Sequence, residues 1–338
     1  MTTENDTQYI VVPEAPSIPG LTFRHWRGKS DYVHMKSIYD ACKDVDGNES
    51  TWTVESIARN LENQSQCHLP TDMIFAQVDG QPVGFGRVGY YQEGDGTRIY
   101  FTLGFVRPEW RRKGLGTAIL KHQERRIREI AAGHRDETPK FFQADHNDRE
   151  VSVAALLKAN GYQEVRWGYR MVRPLSDPIH PAPMPDGVQV RPATREQARQ
   201  IWEAFRDAFR ENWGYVPGTE QNYQNWLADP SFDPSLWQVA WDGDEVAGMV
   251  LSSVNKDENA EYGRQRGRTE PICVRKPWRR RGLARALLAQ SLLMFREMGF
   301  DDVALGLDAL NPNHVLDLYE SMGYKVIRKW TMCRKPLE

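Results

Sequence analysis

A basic, glycine-bearing turn occurs twice in this chain, once as Trp110-Arg111-Arg112-Lys113-Gly114-Leu115-Gly116 and once as Trp278-Arg279-Arg280-Arg281-Gly282-Leu283-Ala284. Gly114 and Gly282 are 168 residues apart, and so are Val106 and Val274 in the apolar runs that precede the turns. Upstream, Gly20-Leu21-Thr22-Phe23-Arg24 corresponds to Gly187-Val188-Gln189-Val190-Arg191 at an offset of 167. Downstream, Gly161-Tyr162 and Pro174-Leu175 recur as Gly323-Tyr324 and Pro336-Leu337 at an offset of 162. A repeat of roughly 150 residues has the size of a domain. The chain therefore reads as two copies of one fold, each of which must build the same turn between a strand and a helix.

The copies are expected at 1–178 and 188–338, with 179–187 as a linker. Pro178, Pro181, Pro183 and Pro185 withhold helix hydrogen bonds from that stretch and favour an extended spacer. The whole chain of 338 residues carries a formal net charge of -2, so it offers no general positive surface for nucleic acid. Cys42, Cys67, Cys273 and Cys333 stand far apart with no Cys-x-x-Cys pair, which argues against zinc or a disulfide framework and suits a reduced compartment. The opening Met1 to Thr7 lacks the pattern of a signal peptide, and no apolar run reaches membrane-spanning length. These features predict a cytoplasmic monomer or homodimer with no metal, nucleic-acid or membrane partner.

Apolar periodicity gives the second copy in outline. It predicts strands at 188–191, 236–240, 246–254, 269–274, 303–307 and 324–333, with helices at 195–210, 282–298 and 313–322. Asp242-Gly243 marks a hairpin between the second and third strands. The order β-α-β-β-β-α-β-α-β is an α/β class with a mixed sheet of the α+β kind.

With that order in place, Arg279, Gly282 and Ala284, then Asn311, then Leu318-Tyr319-Glu320-Ser321-Met322-Gly323-Tyr324 resemble the GNAT (Gcn5-related) N-acetyltransferase superfamily. The likeness covers both copies and implies two tandem GNAT-like acyltransferase domains. It also implies acetyl-CoA, or another acyl-CoA, as co-substrate without a metal, and transfer to a primary amine of a small molecule. The turn itself suits such a ligand, because free N–H groups and the dipole at a helix N-terminus favour phosphate oxygens. Gly282 and Ala284, flanking Leu283, like Gly114 and Gly116 flanking Leu115, place small residues where a diphosphate approaches the backbone. Arg279, Arg280 and Arg281, with Arg111, Arg112 and Lys113, supply charge-assisted donors, although any one of them can instead be a solvated surface charge. Backbone N–H groups around Cys273 and Val274, with Val106 at the matching place, are expected to polarise a thioester carbonyl. Asn311 is expected either to hold the pantetheine arm or to cap a helix.

The resemblance also names the chemistry. An alkylammonium must lose a proton before it attacks, and Glu270, on the strand before the second turn, is the expected base, with Asp308 in reserve. The alternative for Glu270 is an ion pair with Arg266 or Arg268. Tyr319 is the expected acid for the departing thiolate; its alternative is packing on the sheet. At the matching positions the first copy has Thr102 and Leu157, which can do neither job. The first copy is therefore expected to be catalytically degenerate and the second to acylate. Trp202, Trp213, Tyr215, Tyr223, Trp226 and Trp237 either line an acceptor cleft or fill the core. Tandem order is similar to that of mycothiol synthases, which acylate a thiol-bearing sugar amine, but other members share it. A non-catalytic acyl-CoA sensor is the alternative of a different class. An NTPase is disfavoured because neither turn contains Gly-Lys-Ser/Thr.

Overall fold

The computed structural model describes residues 9–62, 66–311, 313 and 315–338. The opening Met1 to Thr7, where no signal peptide is expected, and Pro312 lie outside the described residues. The chain divides into two compact units, Met1–Val165 with Thr331–Glu338, and Arg166–Trp330.

In the first unit the strands run in the spatial order Tyr9–Ile10, Leu21–Arg24, Met73–Val78, Gln81–Gln92, Arg98–Val106 and Lys140–Asn147. Neighbours are antiparallel except the last pair, Arg98–Val106 and Lys140–Asn147, which lie parallel with Phe101 opposite Gln143. A parallel pair needs a crossover, and the helix Leu115–Ala132 provides it. Asp79 and Gly80, both at positive φ (49° and 78°), form the tight turn between Met73–Val78 and Gln81–Gln92. The sheet continues with the chain's last residues: Leu337 donates its N–H to the Lys140 carbonyl. Cys333 is buried with Tyr100, Phe142 and Leu157. Arg334, 7% exposed, pairs with Glu93 and donates from Nε to Gln143 Oε1 at 3.0 Å.

The second unit repeats the plan with one sheet ordered Ile272–Val274, Glu245–Leu251, Trp237–Asp242 and Gln189–Arg191. Beside it Arg266–Arg268 runs parallel to Asp302–Asp308, which in turn pairs with residues 168–174. The helix Leu283–Glu297 packs Leu283 and Leu287 against Ala240, Ala247 and Val250, and Leu288, Leu292 and Phe295 against Met171, Val303 and Leu305. At about 25 cal/mol per Å2 of buried apolar area, each such leucine contributes roughly 2 kcal/mol.

This division differs from the expected 1–178 and 188–338. Residues 166–174 belong to the second unit and 331–338 to the first. Nor is 179–187 a free linker, because Ile179 is 9% exposed within the second unit's core and Ala182 and Met184 pack on that unit. Prolines did make the stretch extended, but apolar residues between them gave it a surface to lie on. Two helices, Glu220–Leu227 and Lys256–Tyr262, were not anticipated. The strand expected at 269–274 is split, because Pro271 has no N–H to continue a ladder.

Candidate active site

The two turns have the same backbone. Each begins with a short 3-10 turn, Pro108–Trp110 or Lys276–Trp278, and opens a helix at Leu115 or Leu283. Arg112 and Arg280 sit at φ of 62° and 60°, Gly114 and Gly282 at 91° and 84°. Residues with side chains avoid φ near +90°, so the glycines are required by conformation. A Cβ on Gly282 would meet nothing within 4 Å. The space in front of it is open.

The three cations of each turn do different work. Arg279 Nε donates to the Val274 carbonyl at 3.0 Å, and its terminal nitrogens reach Ala208 O and Glu211. Arg111 Nε donates likewise to Val106 O at 2.9 Å, and its terminal nitrogens hold Asp46 at 2.6 and 2.8 Å. The first arginine of each trio is thus a lock between turn, strand and the preceding helical segment. The third points elsewhere: Arg281 donates to Asp186 O, and Lys113 lies over the Trp110 ring. The middle ones, Arg112 and Arg280, line a cavity. Arg111 and Arg279 line the same cavities, but their guanidinium groups are already held by Val106 O and Asp46 and by Val274 O, Ala208 O and Glu211.

In the second unit the cavity has a volume of about 910 Å3. It opens where the chain leaves one partner strand for another. Arg266–Arg268 pairs with Asp302–Ala304, and Thr269 still donates to Ala304 O at 3.0 Å. After the cis Glu270-Pro271 bond, Ile272–Val274 pairs only with Gly248–Val250. Pro271 O accepts from Leu251 N, and Arg275 N donates to Ala247 O, so odd-numbered residues here face the sheet. By the alternation of an antiparallel ladder, Cys273 turns its N–H inward, while Ile272 and Val274 turn theirs toward the cavity. Ile272, Cys273 and Val274 all line the cavity.

Glu270 sits at this divergence. Its Oε2 accepts from Gly306 N at 2.6 Å, and its Oε1 takes Arg170 NH1 at 3.1 Å. The alternative partners are engaged elsewhere, Arg266 with Asp302 and Arg268 with Glu258. Tyr319, on the helix Val315–Ser321, is 7% exposed and packs edge-on against Tyr324 at 5.9 Å. Burial pushes its phenol above the ordinary tyrosine range, with the negative charge of Glu270 and then Cys273 adding to the effect. Both residues line the cavity, as do Arg280, Gly282, Ala284 and Asn311. Asn311 Oδ1 accepts from Asn313 N at 2.9 Å, a turn-forming role. Asp308 gives Oδ2 to Arg166 and Oδ1 to Leu310 N.

The cavity of the first unit, about 630 Å3, is lined by Arg112, Gly114 and Gly116, and at the matching depth by Thr102 and Leu157. Leu157 is buried at 3% in the core. The cradle is present, and neither side chain beyond it titrates.

Two regions match the family models "Acetyltransferase (GNAT) domain", over residues 70–164, and "Acetyltransferase (GNAT) family", over 198–324. A mycothiol acetyltransferase of Geodermatophilus obscurus is 30% identical over 258 residues, covering 75% of this chain and 78% of that protein. Another, from Propionibacterium freudenreichii subsp. shermanii, is 27% identical over 302 residues, 88% of this chain and 86% of that one. The chain is a two-domain member of the GNAT family.

Among solved structures, a GCN5-related N-acetyltransferase from Sphaerobacter thermophilus has the same fold, with a TM-score of 0.71 at 24% identity over 94% of this chain and 95% of that one. So does a tandem GNAT protein from the clavulanic acid biosynthesis pathway, with a TM-score of 0.68 at 15% identity over 94% and 98%. As a GNAT protein the chain is an acyltransferase, and members that transfer acetyl groups use acetyl-CoA. Among the described residues no cluster of His, Cys, Asp and Glu is built to hold a metal ion, and no helix is long and apolar enough to cross a membrane. Of the aromatic residues singled out from the sequence, Tyr223 and Trp237 are buried and Trp226 stacks on Trp237 at 5.3 Å, Trp213 is 42% exposed, and none of the six lines the cavity. Phe205, Phe209 and Asn212 line the same cavity as Glu270.

Proposed function

We propose that the second unit transfers an acetyl group from acetyl-CoA to a primary amine of a small molecule, with Glu270 as base and Tyr319 as acid. The observation that carries this is the convergence of both side chains on one cavity whose other end is the open cradle at Gly282. The residues fit the co-substrate: Arg280 and the N-terminus of a 15-residue helix favour a diphosphate, and Ile272 and Val274 present N–H groups where a carbonyl needs polarising. A bound thioester supplies the acyl group and a thiolate leaving group. Glu270, fixed by Gly306 and Arg170, is placed to draw a proton from the incoming ammonium, directly or through water. Tyr319, kept neutral by burial, holds a proton for the sulfur. Asp308 remains the reserve base, but it is Glu270, not Asp308, whose charge bears on the Tyr319 phenol.

The first unit, by the same reasoning, holds an acyl-CoA without turning it over, since Thr102 and Leu157 stand in its cavity. Mycothiol acetyltransferases among the relatives put a thiol-bearing amino sugar at the head of the acceptor panel. The test is release of free thiol from acetyl-CoA with a panel of amines. Release with at least one primary amine, reduced at least 100-fold in both Glu270→Gln and Tyr319→Phe, supports the assignment. Binding of acetyl-CoA without release for any amine would favour the acyl-CoA sensor.

A further inference from the structure

Arg285 follows the second cradle directly, one residue after Ala284, and its counterpart in the first is Thr117. Both line their cavities. Arg285 extends from the first turn of the helix Leu283–Glu297 to the end of the helix Val315–Ser321, where NH2 donates to Ser321 Oγ at 2.7 Å and NH1 reaches Met322 Sδ at 3.3 Å. These partners are neutral, so they orient the guanidinium without discharging it. Arg280 shares the same cavity, and among the described residues it makes no ion pair. Arg279 differs, with Glu211 as its counter-ion. Two undischarged cations lining one cavity are a favourable place for an anion, which relieves their mutual repulsion. In the first unit the matching positions hold Arg112 with Thr117, and the residues corresponding to Ser321 and Met322 are Ala159 and Asn160. At these matched positions the first unit carries one cation fewer, with Arg87 lining its cavity from a different strand.

A diphosphate on the helix N-terminus is served by backbone N–H groups. A separate phosphate monoester, with its nearly double charge, calls for guanidinium groups. We infer that Arg285, with Arg280, forms a second anion subsite in the second unit that takes the 3′-phosphate of coenzyme A, and that the first unit lacks it. The inference rests on the coenzyme A reading of the cradle proposed above. Arg285 would then be a specificity residue, selecting coenzyme A over its 3′-dephospho form in the unit that turns over.

The full-length chain is titrated calorimetrically with coenzyme A and with 3′-dephospho-coenzyme A, as wild type, Arg285→Gln and Arg285→Lys. Any binding to the first cradle contributes equally in all three proteins. The expected result is a preference for coenzyme A of about 10-fold at the second site, the scale of a charge-assisted phosphate contact. Arg285→Gln removes this preference by weakening coenzyme A alone, while Arg285→Lys retains part of it. The KM for acetyl-CoA should rise in parallel in Arg285→Gln with kcat little changed. A preference that survives in Arg285→Gln, or a wild type that binds both forms equally, overturns the subsite and leaves the cradle reading intact. Failure of both forms to bind overturns the cradle reading as well.

Discussion

In the first unit Arg111 closes on Asp46, which is 3% exposed and gripped by two hydrogen bonds; in the second Arg279 closes on Glu211, whose side chain is 53% exposed and shared with Lys276. The two arginines make the same Nε contact with the same carbonyl position, Val106 or Val274. What surrounds them has diverged. Removing one partner of a buried pair strands a charge and costs about 3–5 kcal/mol, whereas an exposed pair contributes little. Where the cradle stands over Thr102 and Leu157, its lock is buried; where it stands over Glu270 and Tyr319, its lock is open to water. The duplicated turn keeps one backbone geometry, and the neighbours decide how far the ion pair that locks it is shielded from water.

The sharpest way to break this contrast is at the proposed catalytic positions. Tyr319→Phe is expected to lower kcat by about 100-fold or more, while Leu157→Phe changes it less than about twofold. Because burial raises the Tyr319 phenol, the wild-type rate should not decline between about pH 7 and about pH 9 through loss of its proton. A rate profile and the two variants measure both. A wild-type decline in that window that disappears in Tyr319→Phe would show that the phenol loses its proton there and overturn its being held neutral by burial.

Stability offers the next contrast. Asp46→Asn should destabilise the first unit by about 3 kcal/mol, visible as faster hydrogen exchange in the helix Leu115–Ala132. Glu211→Gln should leave the second unit's protection unchanged. Equal effects of the two substitutions would show that the locks are equivalent after all.

A smaller difference concerns acid. Burial, with Arg125 and His25 adding to it, lowers His122 of the first unit to about 4. An unfolded histidine titrates near 6.5, so below that pH the unfolded chain takes up a proton that folded His122 refuses. Its contribution is complete above about pH 6.5 and is lost as the pH falls toward 4, on the order of 2 kcal/mol. Urea unfolding followed across this range should show a slope for the first unit that His122→Gln flattens. An unchanged slope in that variant would assign the acid sensitivity to other groups.

Much of this was legible in the sequence because it depends on local spacing. The twin turns, the hairpin at Asp242-Gly243, the helix after Gly282 and the pairing of Glu270 against Thr102 and Tyr319 against Leu157 are all readable from period and offset. Arg170 could not be read that way. It reaches Glu270 from a strand that precedes the proline-rich stretch, and only long-range pairing of residues 168–174 with Asp302–Asp308 brings it there. The different fates of Arg279, Arg280 and Arg281 were equally hidden, since three adjacent arginines look alike until left-handed backbone at Arg280 turns its neighbours in other directions.

The last eight residues, Thr331–Glu338, complete the unit that begins the chain. Cys333 fills a place in its core and Arg334 neutralises Glu93 inside it. The unit completed by Thr331–Glu338 therefore cannot close until the whole of the second unit has been made, and until then an edge of its sheet stands unpaired. Loss of these residues would spare the cavity lined by Glu270 and Tyr319 and strike the other unit.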